Sequence, residues 1–207
     1  MNLEFRKYRK EDFKDLQQII RKTWHYDELT KPKIAEQLAK VFLSSCLTNY
    51  TYSRVALFDN KAVGIILVNY KEQHKCKFSY RFKQIMSILS LFMHKEGRKV
   101  FKIFGSISGI DKVLLGEANL NYDGELALFA VDSKMRGKGV GKELFNSALS
   151  YMHEVKMNDF YLFTDTSCNF EFYEHQGMKR RVEKDHAFNI GKEDSKMHFY
   201  IYDYKLQ

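Results

Sequence analysis

Hydrophobic and polar positions follow two different rhythms in the first third of the chain. Short apolar runs indicate strands, whereas apolar residues that repeat every three or four places indicate amphipathic helices. In chain order these patterns predict a strand, two helices and a two-stranded hairpin, at residues 3–8, 11–24, 32–42, 54–58 and 62–70. Asp59, Asn60 and Lys61 separate the last two runs, and Asx residues suit a tight turn.

Strand and helix patterns return in the last 83 residues. Residues 125–131 (ELALFAV) are almost continuously apolar, which predicts a central strand covered on both faces. The remaining patterns predict a helix at 139–154, a strand at 160–164, a short helix ending at 175, and two final strands at 178–183 and 197–204. We expect Thr166 or Ser167 to cap the short helix and Gly177 to end it.

Residues 71–121 interrupt this order with a helical pattern. A broad apolar stripe and a second run over 100–115 predict two helices, the stripe being formed by Phe78, Phe82, Ile85, Met86, Leu89, Phe92 and Met93. We interpret 71–121 as a helical insertion before the central strand, within a single domain that spans residues 1–207.

The insertion also holds most of the positive charge. Nine Lys and Arg residues stand against Glu72 and Glu96 between Lys71 and Lys102, a net +7 out of +8 for the whole chain. Such a segment suits nucleic acid, an anionic membrane face or a phosphorylated ligand, and charge alone does not choose among them.

Composition excludes several protein classes. The chain has 207 residues, 44% of them hydrophobic, with one proline and 11 glycines, which excludes a disordered or low-complexity protein. The longest apolar stretch, 85–93, is too short to span a bilayer, and we expect a cytoplasmic protein with no membrane span. Its three cysteines form no Cys-x-x-Cys pair, so we expect reduced thiols and no metal.

A glycine-rich segment, Arg136-Gly137-Lys138-Gly139-Val140-Gly141-Lys142, lies between the predicted central strand and the next helix. Backbone N–H groups at a helix start lack internal partners, and glycine lets a phosphate approach them closely, so the segment predicts an anion site. The loop lacks the glycine of a Walker motif at 136 and that of a Rossmann fingerprint at 142.

The pattern Arg-x-x-Gly-x-Gly, formed by Arg136, Gly139 and Gly141 after ELALFAV, resembles the acetyl-CoA loop of the GNAT N-acetyltransferase superfamily. The segment 169–178 (NFEFYEHQGM) is similar to the downstream motif of that family. The order of predicted elements agrees as well, except over 71–121. The resemblance implies a mixed α/β fold, with a mostly antiparallel sheet of about seven strands flanked by helices.

The resemblance also implies a binding site for acetyl-CoA, used as a cosubstrate without a metal. The sheet should splay beside the central strand, so that backbone groups of that strand bond the pantetheine arm. The loop would then hold the pyrophosphate and Asn169 would bond pantetheine. The cofactor-binding residues implied are Phe129, Ala130, Val131, Arg136, Gly137, Lys138, Gly139, Val140, Gly141, Lys142, Asn169 and Tyr173.

Two residues are candidates for catalysis under the same resemblance. Tyr173 is the expected general acid for the departing thiolate, since a phenol with a reference pKa of about 10 stays protonated at neutral pH. We expect Asn169 and Tyr173, four residues apart, to share one helix face. Glu125 is the expected base toward the amine, and a solvent-exposed strand-end glutamate is the alternative. Cys168 has no indicated His or Asp partner, so no acyl-enzyme is expected.

Several alternatives remain for partners and function. The leading function is acetyl transfer from acetyl-CoA to a primary amine of a small molecule, peptide or protein. The others are a non-catalytic acyl-CoA sensor and a basic interaction module; no nucleic-acid motif is present, so no nucleic-acid partner is expected. A homodimer is one option for the oligomeric state. The apolar stripe of the insertion either lines an acceptor pocket, through Phe78, Phe82, Met86, Phe92 and Met93, or belongs to helices that cover a sheet edge.

Overall fold

One seven-stranded sheet organises the protein. The computed structural model describes residues 3–74, 78–190 and 193–206. Its strands are β1 (Leu3–Arg6), β2 (Tyr52–Phe58), β3 (Lys61–Tyr70), β4 (Gly124–Val131), β5 (Asp159–Asp165), β6 (Lys179–Ile190) and β7 (Glu193–Lys205), in the spatial order β1-β2-β3-β4-β5-β7-β6. All neighbours are antiparallel except β4 and β5, which are parallel. The predicted fold class, with β4 as the central strand, is confirmed.

Seven α-helices accompany the sheet in the described residues. They are α1 (Phe13–Thr23), α2 (Tyr26–Leu29), α3 (Pro32–Cys46), α4 (Phe78–Phe92), α5 (Lys95–Ala118), α6 (Val140–Glu154) and α7 (Glu171–His175). Pro32 begins α3, as predicted, because its missing N–H costs nothing at a first helical position. The sequence pattern did not reveal the single turn of α2.

The helices bury their apolar stripes on both faces of the sheet. Helices α1 and α3 pack on one face, against Val55, Ile65 and Leu128, whereas α6 packs on the other face. On the β5–β7 side, Ile110 and Leu114 of α5 contact aromatic and aliphatic residues of these strands. The 24-residue helix α5 therefore covers the side of the sheet formed by β5, β7 and β6.

The hairpin of β2 and β3 turns more tightly than predicted. Asp59 and Asn60 alone form the turn, with φ values of 48° and 63°, and Lys61 already belongs to β3. Two left-handed residues give the backbone twist that a two-residue hairpin requires, and Asx residues tolerate it best.

The first strand is shorter than predicted because a buried carboxylate ends it. Arg6 bonds Asp12 with both terminal nitrogens, at 2.8 and 2.7 Å, and the Arg9 N–H donates to the same carboxylate at 2.8 Å. These contacts fold residues 7–12 back toward the strand, so α1 begins at Phe13 rather than at Glu11.

The predicted caps of α7 are wrong at its start and confirmed at its end. The Ser167 N–H donates to Asp165 at 2.7 Å, which makes a separate turn, and Phe170 occupies the N-cap position instead. Gly177 ends the helix with a φ of 82°, and its N–H donates to the Glu174 carbonyl at 2.9 Å.

The last two strands, β6 and β7, pair with each other and are longer than predicted. Lys75, Cys76 and Lys77, which belong to the predicted basic insertion, lie outside the described residues. No helix within the described ranges combines the length and the hydrophobicity needed to cross a bilayer. The single-domain organisation stays a prediction.

Candidate active site

The sheet opens between its two parallel strands. In β4 and β5, both of which are fully described, pairing is confined to Gly124 with Phe160 and Glu125 with Tyr161. Beyond these pairs β4 continues to Val131, hydrogen-bonded only to β3 among its described ladders. Backbone groups that face the gap therefore have no sheet partner, and strand addition by an amide-rich ligand would satisfy them.

A cavity of about 590 Å³ follows this gap. Eleven of the residues predicted to bind or act on the cosubstrate line it: Glu125, Phe129, Ala130, Val131, Arg136, Gly137, Gly139, Gly141, Lys142, Asn169 and Tyr173. Two predicted residues, Lys138 and Val140, do not line it. Val140, the first residue of α6, is buried in the core, and the exposed residue Lys138 has its amine 3.8 Å from Met135 Sδ.

The glycine loop presents backbone donors at one end of the cavity. Gly137 and Gly139 have φ values of 73° and 79°, a left-handed conformation that strongly favours glycine. Gly139 occupies the N-cap of α6 and provides no side-chain acceptor. The N–H groups of Val140, Gly141 and Lys142 are left without intrahelical partners, and the helix dipole adds positive potential there.

A buried hydroxyl supports the fit of this cavity to a polar ligand. Thr164 is 7% exposed and lines the cavity, and its Oγ1 makes no well-formed hydrogen bond with the described residues, although it lies beside the Cys168 thiol. A buried hydroxyl without a good partner is costly. Together with the open edge of β4 and the glycine loop, it fits an amide-rich, phosphorylated ligand such as acetyl-CoA.

The Tyr173 side chain lies in an aromatic wall of the cavity. Its ring contacts those of Phe129, Phe172 and Tyr202 at centroid distances of 6.3, 5.7 and 6.0 Å. Burial raises the pKa of the Tyr173 phenol well above its usual value, so the hydroxyl keeps its proton at neutral pH. The expectation that Asn169 shares a helix face with Tyr173 is wrong, because α7 begins at Glu171. Both residues nevertheless line the cavity.

Three polar side chains hold the short helix α7 in place. Glu174 accepts hydrogen bonds from Arg180 at 2.7 Å and from the Tyr202 hydroxyl at 2.6 Å, and Arg180 also donates to the Tyr202 oxygen at 3.0 Å. The guanidinium lies 4.3 Å from the centre of the Tyr200 ring. This network ties α7 to β6 and β7, which fixes the backbone that carries Tyr173.

The opposite part of the cavity is acidic. Glu125 is half-buried; burial raises the pKa of its carboxyl, while a hydrogen bond with the Tyr161 hydroxyl and the charge of Lys71 oppose that rise. Asp111 of α5 lines the same cavity, and burial together with the charges of Glu125 and Asp165 raises the pKa of Asp111 to about 7. The solvent-exposed alternative for Glu125 is therefore wrong.

Sequence reasoning missed Asp111, although a signal was present. Asp111 is the only carboxylate between Glu96 and Glu117, and it lies on the stripe of Ile107, Ile110 and Leu114 that α5 turns toward the sheet. Charged side chains are rarely buried, so an acid on the apolar face of a helix is a signal that marks a candidate functional residue.

The insertion reaches the cavity through α5 rather than through α4. Ile107 and Asp111 line the cavity, whereas Phe78, Phe82, Met86, Phe92 and Met93 do not and are exposed instead. The interpretation of these five residues as a pocket lining is therefore wrong for this cavity.

The two cysteines that line the cavity are poor nucleophiles. Burial raises the pKa of Cys46 to about 12 and that of Cys168 to about 11, so both thiols stay protonated at neutral pH. Within the described residues no group of three or more His, Cys, Asp or Glu side chains is arranged to hold a metal ion.

Comparison with known proteins relates this site to one family. Residues 104–178 match the acetyltransferase (GNAT) family, a segment that runs from the middle of α5 through the glycine loop to Met178, three residues after the end of α7. No curated protein sequence matches the chain.

Solved structures share the fold at low sequence identity. The PaiA N-acetyltransferase from Thermoplasma acidophilum, solved in complex with coenzyme A, is 15% identical, with a TM-score of 0.53 over 99% of both chains. An N-acetyltransferase from Staphylococcus aureus Mu50 is 15% identical, with a TM-score of 0.53 over 100% of both chains. Ard1 from Thermoplasma volcanium is 14% identical, with a TM-score of 0.55 over 100% of this chain and 99% of its own.

Proposed function

We propose that the chain is a member of the GNAT acetyltransferase superfamily and that it transfers an acetyl group from acetyl-CoA to a primary amine of a small molecule, peptide or protein; the family match over residues 104–178 and the shared fold support this. The observation that carries the proposal is the open seam between β4 and β5, lined by a glycine loop at one end and by two carboxylates at the other. We also propose a cytoplasmic location.

The two ends of the cavity suit the two substrates. Arg136, Lys142 and the free N–H groups after Gly139 attract and bind phosphates, and Lys138 adds long-range attraction from the rim. Asn169 and the unpaired edge of β4 bond the amides of the pantetheine arm. Acetyl-CoA supplies the acetyl group as a thioester.

The two carboxylates, Glu125 and Asp111, bind the amine substrate and accept its proton. An amine with a lysine-like pKa of about 10.4 is mostly protonated at pH 7, and removing its proton costs roughly 4 to 5 kcal/mol. Glu125 and Asp111 bind the ammonium form, and a carboxyl whose pKa lies near neutral accepts a proton better than an ordinary one. The proton reaches Glu125 or Asp111 directly or through one water.

Tyr173 protonates the leaving thiolate. The C–N bond forms as the C–S bond breaks, so the sulfur needs a proton while the amine loses one. The neutral Tyr173 phenol donates that proton, and the burial that raises its pKa also disfavours a bare thiolate beside it. Direct attack needs no protein nucleophile, in agreement with the protonated state of Cys46 and Cys168.

The test is release of free thiol from acetyl-CoA in the presence of varied amines and peptides. We expect release with at least one amine class, and loss of about 10²- to 10⁴-fold in kcat for Tyr173→Phe with acetyl-CoA affinity kept. Tyr200→Phe is the matched control, because Tyr200 belongs to the same core and does not line the cavity.

Saturable binding of coenzyme A without thiol release across the panel would favour the sensor instead. Unchanged turnover in Tyr173→Phe would remove its role as the acid.

A further inference from the structure

Helix α4 carries a continuous apolar face that is exposed. Seven large apolar side chains, between 39% and 85% exposed, form what we call the outer face of α4, six of them within the helix and the last directly after it: Phe78, Phe82, Ile85, Met86, Leu89, Phe92 and Met93. In the rest of the described chain, Val113 and Leu120 are the other large apolar residues with comparable exposure. Contiguous apolar patches of this kind mark interaction sites.

The position of α4 is fixed by its opposite face. Leu91 is fully buried there, and Tyr80 packs against Tyr8 and Tyr50 at centroid distances of 6.5 and 6.2 Å. Gln84 Nε2 donates to Ser45 Oγ of α3 at 2.9 Å. The outer face is therefore the free side of a docked helix, and no rotation of α4 would bury both faces.

Exposed basic residues border the outer face. Because successive residues of an α-helix are rotated by about 100° around its axis, Arg81 and Lys83 lie on opposite flanks of the apolar stripe. Four further exposed cations follow in the first turns of α5: Lys95, Arg98, Lys99 and Lys102. The one carboxylate within 78–102, Glu96, bonds Lys31 at 2.7 Å, which adds another cation to this edge.

We propose that the outer face of α4 inserts into the interfacial layer of an anionic lipid membrane. A helix that lies in this layer buries its apolar side chains at the level of the acyl chains, while Lys and Arg on its flanks contact phosphate groups. The 15 residues of α4 span roughly 22 Å, enough for such contact without crossing the bilayer.

Charge favours an anionic membrane over two other partners for the outer face, a second copy of the chain and nucleic acid. A symmetric contact with a second copy would bring the same basic border of each chain against the other, which is repulsive. Nucleic acid would use the cations and leave the seven apolar side chains exposed to water, since phosphate contacts need no apolar face. An anionic membrane satisfies both the cations and the apolar stripe.

The experiment is flotation of the full chain with vesicles of equal parts phosphatidylcholine and phosphatidylglycerol, compared with phosphatidylcholine alone. We expect salt-sensitive binding to the anionic vesicles. Phe82→Glu with Leu89→Glu should weaken vesicle binding roughly a hundredfold, because two apolar side chains that would insert among the acyl chains are lost. Val113→Glu with Leu120→Glu is the matched control and should bind normally, since these residues are exposed outside the outer face.

A second pair of substitutions tests the charges. Arg81→Gln with Lys83→Gln should lower the affinity for anionic vesicles by about fivefold per charge and reduce its salt dependence. Thiol release with a soluble amine should be unchanged in both double variants of α4, because none of the four substituted residues lines the cavity. The proposal is thus independent of the acetyl-transfer proposal.

Absence of wild-type binding to anionic vesicles overturns the proposal, as does binding that survives in Phe82→Glu with Leu89→Glu. A lipid-free dimer that this variant disperses, without vesicle binding, would assign the face to a second copy. Salt-sensitive capture of nucleic acid, again without vesicle binding, would assign it to nucleic acid.

Discussion

At the scale of single residues, the acidic part of the cavity depends on Asp111 and Glu125, which come from different elements. Glu125 is held by its strand pairing and by Tyr161, whereas Asp111 comes from α5. Because burial and the charge of Glu125 both raise the cost of ionising Asp111, Asp111 keeps a proton near neutral pH unless a cation lies between the two carboxyls. A protonated amine is such a cation.

This pairing predicts the pH dependence of the reaction. With the pKa of Asp111 raised to about 7, the ionised form is gained as pH rises through 7, so kcat/KM should rise over the same window. Asp111→Asn should lose that rise and lower kcat/KM at pH 8 by about tenfold or more, measured by thiol release. Glu117→Gln, an exposed acid on the same helix, should keep the wild-type profile.

The stability of the protein should fall as pH rises, in the opposite direction to its activity. The folded pKa of Asp111 lies above the unfolded value of about 4, so the folded chain binds more protons between these values and its free energy of unfolding falls as pH rises from 4 to 7. Asp111→Asn should remove this fall and be the more stable protein at pH 8. A wild-type pH profile of both activity and stability in Asp111→Asn would contradict this account.

At the scale of elements, the glycine loop connects β4 to α6 through left-handed residues. Gly139→Val should be poorly accommodated, because a β-branched residue at a φ of 79° is strongly disfavoured. Coenzyme A affinity, measured by calorimetry, should fall by about 10- to 100-fold as charge-assisted bonds to the displaced N–H groups are lost.

The control for that substitution is Gly109→Ala in α5, where an added Cβ meets nothing within 4 Å. It should stabilise the helix slightly and leave coenzyme A affinity unchanged. Wild-type affinity in Gly139→Val would contradict the assignment of the loop.

The elements also explain how far sequence reasoning reached. The glycine loop and the 169–178 motif were predictable because turn and helix-end chemistry is local, and the helical spacing of α4 was equally local. The sequence did not reveal which face of α4 is buried, because the more apolar face is the exposed one, whereas the polar residues Gln84 and Ser87 lie on the packed side. Asp111 was missed because its proximity to Glu125 depends on how α5 crosses the sheet, a contact that no local pattern records.

At the scale of the whole molecule, the two halves of the sheet are joined at β4 and β5 by only two residue pairs in the described strands. A ligand that bonds both strands would act as the missing ladder and couple the halves. Binding to the folded state stabilises it by about 2.7 kcal/mol at a ligand concentration of 100 times Kd.

Hydrogen exchange should therefore respond to coenzyme A along the seam. We expect amides in 126–131 and 162–165 that lie outside the β3 and β7 ladders to exchange at least about tenfold more slowly with the ligand, because they become hydrogen-bonded. At a coenzyme A concentration of 100 times the wild-type Kd, the same peptides in Gly139→Val should be protected about 10- to 100-fold less than in the wild type, in step with the weaker affinity. Protection confined to α4 and α5, with the seam unaffected, would place the ligand outside the gap and contradict strand addition as the binding mode.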